Sequence, residues 1–250
     1  MGGHSPPLPP PPSPPPPPSP SPDPPGVTFR VALVVGGRLT CEQTRLLPQV
    51  RRYLAEHPTH LVDVAFALND APESRAGYAA RPGMDGAFVA SLECSVLCVE
   101  PRHENWHNKN ASHANSVRNT LSMFRNGKLA HDRLFALGRA LPYDAVVKFR
   151  PDIVADRLPE FADVVAHDEV DAMVVHVPNH SSWGGANDQV AVGCPAAMAR
   201  YFALHDRLDE HLEKGCRLHP ETLLQFHLNA EGIRVATFNY GYSLDPTRGL

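Results

Sequence analysis

The sequence has no apolar run of the roughly 18 residues needed to cross a bilayer, so no membrane span is expected in it. It has no basic run either. Its 23 Lys and Arg against 27 Asp and Glu leave a formal charge of -4, which argues against nucleic acid as the main partner. Cysteine is sparse, with 5 in 250 residues. Cys94 and Cys98 share a run that reads as a strand, where about 13 Å would separate them, too far for a disulfide. Reduced, mostly buried thiols are expected instead. The N-terminus lacks the apolar segment of a secretory signal. Its MGGHSP start resembles a myristoylation signal, but Pro6 stands where Ser or Thr is wanted. Two sequons, beginning at Asn110 and Asn179, matter only in a secretory compartment. The Golgi lumen and the cytoplasm both stay open as locations.

Proline is what the chain has in excess. More than half of its 27 prolines fall before residue 26, in PPLPPPPSPPPPPSPSPDPP. Proline fixes φ and lacks an amide donor, so such a run is extended polyproline II. It carries too little apolar surface to offset the entropy of ordering. Residues 1–26 therefore read as a disordered stalk, and residues 27–250 as one α/β domain with its own core.

Within that domain, β-rich and helical patterns alternate. Residues 27–37 are a β-branched apolar run ending in two glycines, which predicts a buried strand. Residues 40–57 have helical spacing, with Thr40 and Gln43 placed for a capping box. Further strands are expected at 60–70, 93–101, 143–154, 170–178, 188–193 and 233–238. Helices are expected at 114–124 and 128–141, parted by Gly127, and at 195–214 and 220–232. Pro195 and Pro220 suit first-turn positions, and Gly232 a helix end. Alternating elements imply a mainly parallel sheet with helices on both faces. Ligands then bind beyond the carboxyl ends of the strands. That rule points to Gly36-Gly37-Arg38, Asn69-Asp70 and Arg150-Pro151-Asp152.

One stretch suggests different chemistry. HENWHNKNASH places His103, Glu104, His107 and His113 at the ligand and base spacing of a zinc peptidase. Its surroundings argue against a helix there. A strand pattern precedes it, Pro101 is two residues upstream, and three asparagines and Trp106 are indifferent or poor helix formers. The stretch therefore reads as a polar loop rich in His and Asn, with a zinc metallopeptidase kept as the alternative.

Three segments, in order, resemble GT-A-type glycosyltransferases, the nucleotide-diphospho-sugar transferase-like proteins of algae, large viruses and bacterial lipopolysaccharide synthesis. They are VALVVGGRLT, then MFRNGKLAHDRLFALGRALPYDAVVKFRPDIV, then WGGANDQVAVGCPAAMARYF followed by HPETLLQFHLNAEGIRV. The resemblance implies a GT-A-like fold and transfer of a hexosyl or pentosyl group from a nucleotide-sugar donor to a glycan or other hydroxyl acceptor. GT-A enzymes commonly hold a divalent metal on D-x-D, where this chain has Arg150-Pro151-Asp152. Asp152 is then the expected ligand for Mn²⁺ or Mg²⁺, and Arg150 and Arg38 the expected phosphate contacts. Asn69 and Asp70 would lie near the base or ribose. A hydroxyl acceptor needs a general base, for which Asp188, after the glycine-rich WGGAN, is expected, with Glu221 as a supporting carboxylate at a helix start. Trp183 would stack on an acceptor sugar, and His219 is an acceptor-side or capping residue. An inactive sugar-binding protein on the same fold is the further alternative, given the missing first Asp.

Overall fold

The computed structural model describes residues 26–37, 46–69, 88–93, 114–136, 143–166 and 173–244. The stalk expected before residue 26, the Thr40 capping box and the HENWHNKNASH stretch lie outside these residues.

The expected architecture is found, a mainly parallel sheet with helices on both faces. Among the described residues the sheet has 7 strands in the order β3-β2-β1-β4-β7-β6-β8. β1 (Phe29–Gly37), β2 (His60–Asn69), β3 (Phe88–Glu93) and β4 (Ala145–Phe149) are mutually parallel. β7 (Val190–Gly193) is antiparallel to both β4 and β6 (Val174–Pro178), while β6 and β8 (Arg234–Phe238) are parallel. The start of β7 therefore lies at the same edge of the sheet as the carboxyl ends of its parallel strands. A small second sheet pairs β5 (Ile153–Val154) with β9 (Ser243–Leu244).

Successive strand residues point to opposite faces, and the core divides accordingly. One face buries Ala32, Val34, Val146, Val175 and Ala191 against α2 (Ala114–Ala136), α4 (Pro195–Phe202) and α6 (Pro220–Ala230). The other buries Val31, Leu33, Val147, Phe149 and Val192 beneath α1 (Leu46–Glu56) and α3 (Phe161–Val165).

Several elements differ from expectation, among them the strand expected over 143–154, which is divided between β4 and β5. The third strand is Phe88–Glu93, ending where the expected one begins; Cys94 and Cys98 lie outside the described residues. The two helices around Gly127 are one continuous helix, α2. Gly127 does not break it because it is a contact point: a Cβ on Gly36 would come within 2.6 Å of Gly127 N. Two glycines thus let the backbone of α2 lie directly on β1. Packing along a long helix outweighs the roughly 1 kcal/mol that an interior glycine costs. The segment 195–214 is not one helix but α4, a 3₁₀ turn at Ala203–Arg207, and α5 (Leu208–Glu213). Leu204, Leu208 and Leu212 all stay buried across these junctions.

A histidine pair ties α5 to α6. His227 Nε2 is 2.7 Å from the Arg200 carbonyl oxygen, so it donates and leaves Nδ1 as the acceptor. His211 Nε2 then donates to that Nδ1 at 2.8 Å. Burial lowers the pKa of both rings. A base whose folded pKa is depressed stabilises the fold above its unfolded value, near 6.5, and ceases to do so as pH falls through the folded value. His211→Gln is expected to reduce the loss of stability between pH 7 and pH 5. Each proton removed from the linkage is worth at most about 1.4 kcal/mol per pH unit. Urea denaturation at several pH values measures the slope.

Candidate functional site

Strand register brings the predicted tips together. Val35 pairs with Phe149 and Gly37 with Leu68, so β1, β2 and β4 end at one edge. Pro151 stops β4 because it has no amide to give the ladder. Gly37 adopts φ 140 and abuts that turn: a Cβ on it would lie 3.4 Å from Pro151 Cδ. Arg38 and Asp70 lie outside the described residues. Asn69 is placed by its backbone as the last residue of β2.

At this edge Arg150 and Asp152 form a buried bidentate pair. Arg150 Nε donates to Asp152 Oδ1 at 2.9 Å and Nη2 to Oδ2 at 2.7 Å. Arg150 Nη1 lies 3.7 Å from Asp188 Oδ2, within ion-pair range but beyond a hydrogen bond. The backbone joins in, with Arg150 N donating to Gln189 O at 3.1 Å.

Asp188 is held by its neighbours. Asn187 Nδ2 donates to His180 O at 2.7 Å and to Tyr242 Oη at 2.8 Å. Asn187 Oδ1 accepts from Gln189 N at 2.8 Å and Val190 N at 3.2 Å. The preceding loop rests on the first turn of α6, where Ala186 N donates to Glu221 O at 3.1 Å. Gly185 makes this approach feasible, since a Cβ there would come within 2.1 Å of that carbonyl oxygen. The same contact sets Asp188 near Glu221. Burial, then the Asp188 charge, raises the Glu221 pKa above its ordinary value.

Lys148 completes the cluster. It is two positions before Arg150 and so shares the face of Val146. It is 4% exposed, beside 8% for Arg150, 5% for Asp152, 2% for Asp188 and 6% for Glu221. Burial pushes the Lys148 ammonium down to about 7, against the pull of Asp188. Tyr201, on α4, is also buried, and its hydroxyl pKa is raised by burial and by Asp188. Most buried polar atoms in native proteins are paired. Among the described residues, Lys148 Nζ, Asp188 Oδ1, Tyr201 Oη and Glu221 Oε2 have no hydrogen-bond partner.

The outer residues differ in setting. His219 Nδ1 lies 3.3 Å from Glu221 Oε2, near enough for an ion pair but not aligned for a hydrogen bond. His219 is the N-cap residue of α6 but makes no side-chain cap bond. Trp183 is 75% exposed and held at φ 38, followed by Gly184 at φ 83. A non-glycine residue in that region costs about 1–2 kcal/mol, so the loop sustains strain to present an indole to solvent.

The expected sites at Arg150, Asp152, Asp188, Glu221 and His219 therefore form one cluster, with Trp183 on the loop beside it. The sequence reading missed Lys148, Tyr201 and Asn187. The signal for Lys148 was present: a lysine inside an otherwise apolar strand, in step with Arg150.

Asp152 is buried and each of its oxygens accepts from Arg150, so a divalent metal there would have to share the carboxylate with an internal guanidinium. The expected Mn²⁺ or Mg²⁺ ligand is thus committed to an internal cation. Glu56, His57 and Glu160 hold ligand atoms within 4.8 Å of one another. That group joins the end of α1 to the residue before α3, at the opposite end of the parallel strands.

No family model matches the chain, and no curated protein matches it in sequence. Among solved structures, it is similar to the apo form of mouse xyloside xylosyltransferase 1, with TM-score 0.47, 10% identity, and 84% of each chain covered. It is also similar to a glycosyltransferase involved in glycosylating the major capsid of PBCV-1, with TM-score 0.40, 10% identity, and 85% of this chain and 83% of that one covered. The functional reading rests on the site's own residues.

Two substitutions test the arrangement. Gly185→Ala must displace backbone and is expected to destabilise by about 2 kcal/mol or more, seen as a lower denaturant midpoint. Glu221→Gln is expected to stabilise the protein at neutral pH, on the order of 1 kcal/mol. A carboxyl with a raised folded pKa contributes stability below its unfolded value and loses it as pH rises through the folded value. The advantage of the glutamine should therefore vanish near pH 4, and thermal melts at the two pH values check this.

Proposed function

We propose that the protein is a glycosyltransferase that moves a hexosyl or pentosyl group from a nucleotide-diphosphate sugar to a glycan or other hydroxyl acceptor. The observation that carries this reading is the grouping of buried polar atoms without hydrogen-bond partners at Lys148, Asp188, Tyr201 and Glu221, around the carboxyl end of β4. Ligands of open α/β sheets bind at that edge, and unmet hydrogen-bonding capacity there is what a polar ligand satisfies.

In this reading Asp188 is the general base. Its Oδ1 takes the proton of the acceptor hydroxyl as the acceptor oxygen bonds to the anomeric carbon. The bond from that carbon to the diphosphate breaks, and the nucleoside diphosphate leaves with the electron pair. Arg150, fixed along one edge by Asp152, offers Nη1 to the departing charge, and Arg38, following Gly37, is the second phosphate contact. Asn69 and Asp70 serve the base and ribose. Glu221 and His219 form the acceptor wall, and Trp183 supplies a face for a sugar ring. A metal held by Asp152 has no part in this scheme.

The reading is tested by thermal shift with UDP, GDP and their sugar conjugates, with and without Mn²⁺. At about 100 times Kd, a bound nucleotide is worth about 2.7 kcal/mol, which raises Tm by several degrees. Asp188→Asn should keep that shift and lower transfer to added sugars by about 10²–10⁴-fold. No shift with any nucleotide would remove the transferase. A shift in both proteins, with no transfer by either, would favour an inactive binding protein.

A further inference from the structure

A hydroxyl that the catalytic reading does not use reaches this edge from the far end of the described chain. β9 pairs with β5, Leu244 with Ile153 and Ser243 with Val154. Tyr242, just before β9, is thereby brought beside the turn of Arg150 and Asp152. Its ring packs on His180 and Tyr240, with centroids 4.6 and 5.5 Å apart. His180 Nε2 donates to Tyr240 O at 2.7 Å, a second tie between the same two segments.

Asn187, next to Asp188, fixes the direction of the Tyr242 hydroxyl proton. Asn187 is fully buried. Its Oδ1 accepts from the amides of Gln189 and Val190, and a backbone N–H can only donate. Nδ2 is therefore the atom turned toward His180 O and Tyr242 Oη, at 2.7 and 2.8 Å. A side-chain NH₂ also can only donate, so Tyr242 Oη is the acceptor in that bond and its own proton is unspent there. Among the described residues no acceptor takes that proton. Burial raises the Tyr242 pKa to about 12, so the phenol keeps its proton at neutral pH. The residue is only half-buried, which leaves it open to a ligand.

The other groups at this edge are short of acceptors in the same way. Arg150 Nη1 stands 3.7 Å from Asp188 Oδ2, too far for a hydrogen bond. Lys148 Nζ and Tyr201 Oη have no partner among the described residues. A ligand atom that meets such donors must accept and need not donate. A phosphate oxygen has that character, whereas a sugar hydroxyl must place a proton as well.

We propose that Tyr242 is a ligand-binding residue: its phenol, held as an acceptor by Asn187, donates its own proton to a phosphate oxygen of a diphosphate seated at Arg150. That the diphosphate belongs to a nucleotide rests on the transferase reading; the direction of the proton does not.

The test uses the full chain with three probes, inorganic pyrophosphate, UDP and GDP. Tyrosine ζ-carbon NMR follows the phenol directly. The Tyr242 resonance is identified by its loss in Tyr242→Phe or, should that variant not fold, by cross-relaxation with the His180 ring. Pyrophosphate and at least one nucleotide are expected to shift this resonance, and to bind about tenfold more weakly to Tyr242→Phe, as for the loss of a hydrogen bond to a charged group. Weaker binding with an unmoved resonance would mean that the hydroxyl only supports Asn187, and overturns the proposal. So does equal affinity in both proteins. A response to pyrophosphate but to neither nucleotide keeps Tyr242 as an anion contact and sinks the transferase reading. Nucleotide binding that leaves Tyr242 unmoved does the reverse, and failure of all three probes to bind removes both.

Discussion

The buried pairing of Arg150 with Asp152 is the constraint on which the rest of the site depends. A guanidinium removed from water is tolerable when its donors meet a carboxylate in a planar fork. Here two donors do so, at 2.9 and 2.7 Å. The pair sits where Pro151 has ended β4, so one residue type stops the strand and its neighbours carry the charge. Once Arg150 is fixed, its remaining nitrogen is aimed at Asp188, and its backbone amide holds Gln189. The loop before β7 is thereby registered against β4 by charge on one side and by a main-chain bond on the other.

That loop bears strain at several points, and each has a visible compensation. Ser181 and Trp183 both adopt positive φ, at 55 and 38. Asn187 makes four hydrogen bonds that hold the loop in that form. Gly185 allows contact with the α6 backbone that no other residue would. Strain concentrated where buried carboxylates also lack partners is the pattern of a site maintained at the expense of stability. A loop with a purely architectural task would gain from relieving either one.

The sequence made the layered fold legible because its strands are short apolar runs of even composition and its helices keep their spacing. It was misleading at Gly127, where a glycine expected to separate two helices instead lets one helix touch β1. It was also misleading over residues 195–213, since helical periodicity does not register a change from α to 3₁₀ geometry. At the site, Asp188 and Glu221 were found as carboxylates beside a glycine-rich loop and at a helix start, and both are buried. Asp152 was expected to hold a metal. Reading R-P-D as a variant of D-x-D kept the carboxylate in mind but not the geometry that lets the neighbouring arginine occupy both its oxygens. Lys148 was overlooked because a single lysine in a strand normally reads as its exposed face, and only the second face, covered by α2, α4 and α6, makes it internal.

Buried atoms without a hydrogen-bond partner occur in several parts of the fold, His131 Nε2, His205 Nδ1 and His211 Nδ1 among them, so it is their grouping at the strand ends that bears on function. Arg150 and Asp152 close upon each other, yet an ammonium, a phenol and two carboxylate oxygens beside them stay unpartnered among the described residues. Such atoms carry a cost of about 1–3 kcal/mol each when left unmet. Their opening toward one another is best explained by a ligand rich in hydroxyl and anionic oxygen, which would supply the missing partners.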